Sequence, residues 1–171
     1  HGRGGHGANP ENTADPIVAG ASIVMALQTI VSRNIQSFDP AVITVGSFQG
    51  GSASNIIPNE VKLVAGIRSF DPKTRDFLQK RIIEICEYQA KSYGMTASVD
   101  YQRSYDATVN HTAETNFLRA QAIQFAGAEN VVNLDHPDMG SEDFTYMLQA
   151  CPGSIFFMGT KSSPDTRPLH H

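Results

Sequence analysis

His6 is the one central histidine of a glycine-rich run, His1-Gly2-Arg3-Gly4-Gly5-His6-Gly7-Ala8. Glycine costs conformational entropy unless the backbone needs unusual angles or close approach to something. Four glycines around one imidazole predict a loop that holds the ring against another molecule or chain; a frayed terminus is the competing reading. Four further places carry groups suited to binding or catalysis. Gln49-Gly50-Gly51-Ser52-Ala53-Ser54-Asn55 is a polar, glycine-rich loop ending in the amide of Asn55. Arg68 closes an alternating apolar run. Met139-Gly140-Ser141-Glu142-Asp143 precedes a short apolar helix, so Gly140 and Ser141 are expected at its N-terminus, where backbone N–H groups favour anions. Glu142 and Asp143 read as first-turn acids that complement the helix dipole. His170 lies in the closing Pro168-Leu169-His170-His171. His111 and His136 have no partners at metal-binding spacing and read as loop histidines.

The elements that must position these groups follow from pattern. Asp15-Pro16 and Asp71-Pro72 are both helix starts, Asp as N-cap and Pro at the first helical position. The first helix, Ile17 to Val31, is apolar on nearly every face and is expected to be largely buried, with Val24, Leu27 and Val31 on one stripe. The second carries Leu78, Ile82 and Ile85 on one face and ends at Gly94. Strands are expected at Val42–Val45, at Glu60–Ser69 and at Ala97–Tyr101. In the second of these, Arg68 alternates with Val61, Leu63, Ala65 and Ile67, so it faces away from the apolar core. With one further strand ahead of His1 the order becomes β-α-β-β-α-β. That is the split βαβ, ferredoxin-like arrangement: an α+β sandwich of two helices on a four-stranded antiparallel sheet.

After a linker from Tyr105 to His111, Thr112 is expected to cap a third helix. Phe117, Leu118, Ile123 and Phe125 form its apolar side and Gly127 its stop. A short strand at Val131-Val132, a helix over Phe144–Leu148 and a buried strand at Ile155–Met158 complete the chain. These elements are too few for a core of their own. The expected boundaries are 1–108 for the first domain and 109–171 for an incomplete part of a second.

Composition excludes some partners. The 171 residues are 40% hydrophobic and 18% charged, with a formal net charge of −4 and no basic run. Neither nucleic acid nor an anionic membrane is indicated, and no apolar stretch is read as long enough to span a bilayer. Cys86 and Cys151 sit in apolar contexts and read as free buried thiols, which fits a reducing, cytoplasmic compartment.

Taken together, the motifs resemble one family. Gly2-Arg3-Gly4-Gly5-His6-Gly7-Ala8 with Pro10 and Asp15-Pro16 is similar to the entry to the dimerisation (lid) domain of M20 metallopeptidases, above all their amidohydrolase branch of hippurate hydrolases, auxin-conjugate hydrolases and N-acetyl-diaminopimelate deacetylases. Ser54-Asn55-Ile56-Ile57-Pro58-Asn59 resembles that family's Asn-Val-Ile-Pro segment, and Arg68 falls where the family carries an arginine. Met139-Gly140-Ser141-Glu142-Asp143-Phe144 resembles its Ser-Glu-Asp-Phe motif, and His170 stands where its last metal-binding histidine sits.

The resemblance implies a lid domain followed by a C-terminal piece of an α/β metallopeptidase catalytic domain. It implies a hydrolase of N-acyl amino acids, hippurate-like or N-acetyl, in which a metal-activated water attacks the amide and a glutamate is the general base. Two divalent ions, Zn, Mn, Co or Ni, are implied for the complete enzyme, with an incomplete or empty site in this chain and no activity by the chain alone. His6 would donate a hydrogen bond to the developing oxyanion in the partner subunit of a homodimer formed through the lid. Arg68 would bind the substrate carboxylate, where its planar fork suits two oxygens. Asn55, Gly140 and Ser141 would line the substrate site, and His170 would ligate metal as neutral imidazole. A reading from a different class stays open: split βαβ domains also serve as non-catalytic oligomerisation or small-ligand-binding modules, in which His6 and Arg68 are incidental.

Overall fold

A computed structural model describes residues 1–160 and Ser163. The chain divides into two compact units, His1–Ala107 and Thr108–His171. The first contains β1 (Gly5–His6), α1 (Pro16–Asn34), β2 (Ala41–Gln49), β3 (Ile56–Ile57), β4 (Lys62–Ser69) and α2 (Pro72–Ser92). The second contains α3 (Thr112–Ala126) and α4 (Phe144–Ala150).

Both Asp-Pro starts form as their chemistry dictates. The Asp15 carboxylate accepts from Ile17 N–H at 2.9 Å and that of Asp71 from Thr74 N–H at 2.8 Å, and Pro fills the first helical position each time. Each cap satisfies a backbone donor that the first turn leaves open. Beyond the end of α2, Gly94 takes φ +71°, the left-handed geometry that glycine adopts without strain.

The core of the first unit lies between these helices and the β2–β4 ladder. α2 contributes Leu78, Ile82 and Ile85, as its periodicity predicts. The buried stripe of α1 is Pro16, Ala19, Gly20, Ile23, Leu27 and Ile30, while Val24 and Val31 flank it half-buried. Of the expected stripe Leu27 is buried, while Ile23 and Ile30 take the places read for Val24 and Val31; on the same face a Cβ at Gly20 would stand 2.7 Å from the Phe48 ring and 2.9 Å from Val61, so glycine lets those side chains approach. The opposite side of α1 is open, with Met25 at 71% exposure. Contrary to expectation, this 19-residue helix is long and apolar enough, by length and composition alone, to cross a membrane; here its Ile23–Leu27–Ile30 face packs into the core.

β2 and β4 run antiparallel, with Val42 opposite Arg68 and Ile43 opposite Ile67, and a register shift between Val45 and Ser47. β1 and β3 form a second two-stranded antiparallel ladder. The four-stranded sheet expected from the sequence is not formed by the described residues. Ala97 and Tyr101 do pack against the core, but 97–101 takes no ladder. A strand needs a neighbour to exchange hydrogen bonds with, and the pairing here is limited to one residue: His1 and Thr96 bond each other's backbone at 2.8 and 3.2 Å. Burial pushes the Tyr101 hydroxyl above the usual tyrosine range, against the opposing pull of Arg103 and Arg75.

The N-terminal glycines are needed for close packing. A Cβ at Gly4 would stand 2.5 Å from the Ile57 carbonyl oxygen, and one at Gly2 would stand 2.3 Å from that of Ala14. The frayed-terminus reading is thereby overturned. Gly4→Ala is expected to destabilise the first unit by about 1–3 kcal/mol, the usual range for overpacking. A urea-unfolding midpoint unchanged from the parent would contradict this.

In the second unit the described residues bury only Thr145 and Leu148. α3 follows its expected span, with His111 rather than Thr112 at the N-cap, and buries none of its residues; Phe125 is 94% exposed. Neither the strand at Val131-Val132 nor the buried strand at Ile155–Met158 forms. Phe156, Phe157 and Met158 are exposed, and instead of a neighbouring strand the Asn110 side-chain amide brackets Ile155, donating to its carbonyl and accepting from its N–H, both at 2.8 Å. Cys86 is half-buried, with its thiol pushed up by burial and then by Glu87. Cys151 is exposed, which corrects the expectation of a buried thiol.

Candidate functional site

The glycine run is placed by backbone contacts on both sides. Gly2 N–H donates to the Asn59 carbonyl at 2.8 Å, and Gly4 N–H to the Asn59 side-chain oxygen at 2.9 Å. Arg3 and Ala14 exchange two backbone bonds, at 2.9 and 2.8 Å, and close the base of a loop over residues 3–14. The Arg3 guanidinium Nε also donates to the Asn12 carbonyl. At the terminus His1 bridges Glu60, at 3.2 Å, and Ser98, at 3.2 Å. Against this frame β1 pairs with β3: Gly5 lies opposite Ile57 and His6 opposite Ile56.

His6 therefore sits at the exposed end of a pinned segment. Gly7 N–H donates to the Asn55 carbonyl at 2.8 Å, which brings His6 and Asn55 together across 48 intervening residues. The approach is close: a Cβ at Gly7 would lie 3.2 Å from that carbonyl oxygen. A turn follows, closed by Asn9 N–H donating to the His6 carbonyl at 2.9 Å, and within it Ala8 N–H donates to His6 Nδ1 at 3.1 Å. Among the described residues none hydrogen-bonds His6 Nε2.

The other residues singled out in the sequence are placed as follows. Arg68 is exposed near the C-terminal end of β4, opposite Val42 and on the face turned from the core, as its alternation predicts. It lies six residues along the strand from Lys62, about 20 Å at the rise of a β-strand. Gly140 lies four residues ahead of α4, so it is not in that helix's first turn. Its N–H is committed to the Asp138 carboxylate rather than open to a ligand. Ser141 follows it in the same irregular stretch. α4 carries no side-chain cap from Asp143. His111 is half-buried at the start of α3, its ring nitrogen beside the Gly153 backbone, and His136 is exposed. His170 lies outside the described residues.

Sequence reasoning gave no role to Asn59, which holds two of the N-terminal glycines. Its signal was faint: an Asn directly after Pro58, which marks a turn and nothing more specific. As for metal, no three His, Cys, Asp or Glu side chains gather into a group able to hold an ion among the described residues. The bimetallic centre that the resemblance implies does not fit the residues described here. What the described residues offer is an exposed imidazole, a neighbouring Asn55 and a guanidinium.

Comparisons with known proteins place this arrangement. Residues 1–94 match the M20 peptidase dimerisation domain. An inferred amidohydrolase of Bacillus subtilis is 39% identical over 170 residues, covering 99% of this chain and 43% of the relative. An ILR1-like IAA-amino acid hydrolase of Arabidopsis thaliana is 38% identical over 165 residues, covering 94% and 37%. An inferred aminohydrolase of methicillin-resistant Staphylococcus aureus has a solved structure that superposes with a TM-score of 0.71 at 34% identity, covering 89% of this chain and 39% of that one. The chain spans about two-fifths of the length of the relatives it matches.

Proposed function

This chain belongs to the M20 peptidase family, and from that premise we propose that residues 1–108 are the lid of a metal-dependent amidohydrolase acting on N-acyl amino acids. Residues 109–171 are, in this reading, part of its catalytic domain, and the lid's sheet reaches four strands in the complete protein. The lid joins two subunits, and its exposed groups act on substrate held by the partner. The observation that carries the proposal is His6: one imidazole on a loop pinned from Gly2 to Ala14, beside Asn55, with no hydrogen bond to its Nε2 among the described residues.

An amide under hydrolysis develops negative charge on its carbonyl oxygen. A donor fixed in advance near that oxygen lowers the barrier without reorganising at the moment of reaction. The loop is held by backbone bonds on both sides, so His6 has that property. Asn55 supplies a second polar group beside it. Arg68 supplies charge complementarity to a free carboxylate, through two parallel N–H donors that a lysine could not provide. An N-acyl amino acid offers both targets, the amide carbonyl and the acid. The N-acyl class is favoured by the name of the Arabidopsis relative, an IAA-amino acid hydrolase. The divalent ions would supply the activated water when bound; no group of three or more candidate ligands forms among the described residues.

The test uses the complete protein with paired substrates, an N-acyl amino acid and the same compound with its carboxylate capped as an amide. Arg68→Ala is expected to raise KM for the acid about 10–100-fold, since a hydrogen bond to a charged group is worth about 1.5–3 kcal/mol. It should leave the capped compound unaffected and abolish the preference between the two. Equal loss on both substrates would refute the carboxylate role.

A further inference from the structure

The turn after β1 fixes more than the course of the chain. In turns that begin with Asn or Asp, the first side chain accepts a hydrogen bond from the backbone N–H two residues on. Here the same geometry is made by an imidazole: Ala8 N–H donates to His6 Nδ1 at 3.1 Å, and Asn9 N–H to the His6 carbonyl at 2.9 Å. An N–H can donate only to a nitrogen with a lone pair, so Nδ1 in this turn carries no proton. In the neutral ring the proton then resides on Nε2.

We propose that the Ala8 backbone N–H is a positioning group that holds His6 as its Nε2–H tautomer and so determines that the exposed nitrogen is a donor. The inference rests on the reading of His6 as a donor to substrate and specifies how that donor is kept. A histidine in a loose loop exchanges between two tautomers, and in one of them the exposed nitrogen accepts instead of donating. The turn removes that alternative with one backbone bond. It also opposes rotation of the ring, since turning it over would carry Nδ1 away from Ala8. Gly7 is the residue between donor and acceptor. Its contact with the Asn55 carbonyl ties the turn to the residue directly ahead of β3, so the position and the tautomer of the ring are set by one construction.

The experiment is long-range proton–nitrogen NMR of the His6 ring in the full chain at a pH where the imidazole is neutral. The parent is expected to show Nδ1 as the unprotonated nitrogen, with a scalar coupling to the Ala8 amide nitrogen through the hydrogen bond. Ala8→Pro removes the N–H and should raise the Nδ1–H fraction about fivefold, the factor one ordinary hydrogen bond is worth. Ala8→Gly, which keeps the N–H, should retain the parent tautomer. An Nδ1–H ring in the parent, or absence of the coupling to Ala8, overturns the proposal without reliance on any variant. In the complete protein, Ala8→Pro should lower kcat with little change in KM. A tautomer shift with kcat unchanged leaves the lock standing and overturns the donor role of His6; an unchanged tautomer overturns the lock alone.

Discussion

Replacing His6 by Ala in the complete protein is expected to lower kcat about 10²–10³-fold, the usual loss for a single donor to a developing oxyanion. KM should change little, because the interaction matures only as charge builds on the carbonyl oxygen. Metal content and dimerisation should persist, since His6 is exposed and, among the described residues, its side chain bonds only the Ala8 N–H. The more telling measurement mixes this variant with one inactivated in the metal centre. If the donor serves the partner's site, each mixed dimer regains one competent site. At equal, random mixing about a quarter of the parent activity should return, from the two-fold symmetry of the pair. No recovery on subunit exchange would show that His6 acts within its own subunit or not at all.

Leu78→Ala is expected to cost the first unit about 2–5 kcal/mol, the range for truncating a fully buried leucine. Leu78 is 0% exposed and belongs to a core cluster shared by α1, through Ile30, and α2, through Ile82, so the cavity would open in the packing between two helices. For a unit of this size that corresponds to a fall in Tm of roughly 10 °C or more. Calorimetry on the chain decides it. A shift of only a degree or two would mean that the α1–α2 packing contributes far less than its burial implies.

What could be foreseen in the amino-acid sequence was mostly local. The Asp15-Pro16 and Asp71-Pro72 caps, the Leu78–Ile82–Ile85 stripe and the turn at Gly94 depend on residues within two helical turns, and all formed as read. The outward face of Arg68 follows from alternation alone. Ladders are different, because they need a second segment that pattern does not name. Ile155–Met158 and Ala97–Tyr101 have the composition of strands, but the described residues bring no adjacent strand to either. Asn110 fills that place for Ile155 with a side-chain amide, which periodicity does not reveal. The family resemblance was legible because its motifs appear in order along the whole chain, and the match over residues 1–94 bears it out. The meeting of His6 with Asn55 was not legible, since it arises from a two-residue ladder between distant segments. Nor could spacing show that the Gly140 N–H is taken by Asp138.

The stitching of the first residues has a consequence for how the chain matures. Gly2 and Gly4 await Asn59, and His1 awaits Thr96, a partner 95 positions later. During synthesis the segment that bears the imidazole leaves the ribosome long before the groups that seat it, and at about 5–20 residues per second it stays unanchored for several seconds. Closing so wide a loop is an entropic cost met only once the α1–α2 core exists to hold the far end. The donor-bearing loop is thus expected to dock late, and amide exchange of Gly4 and Gly7 during refolding should gain protection after that of Leu78 and Ile82.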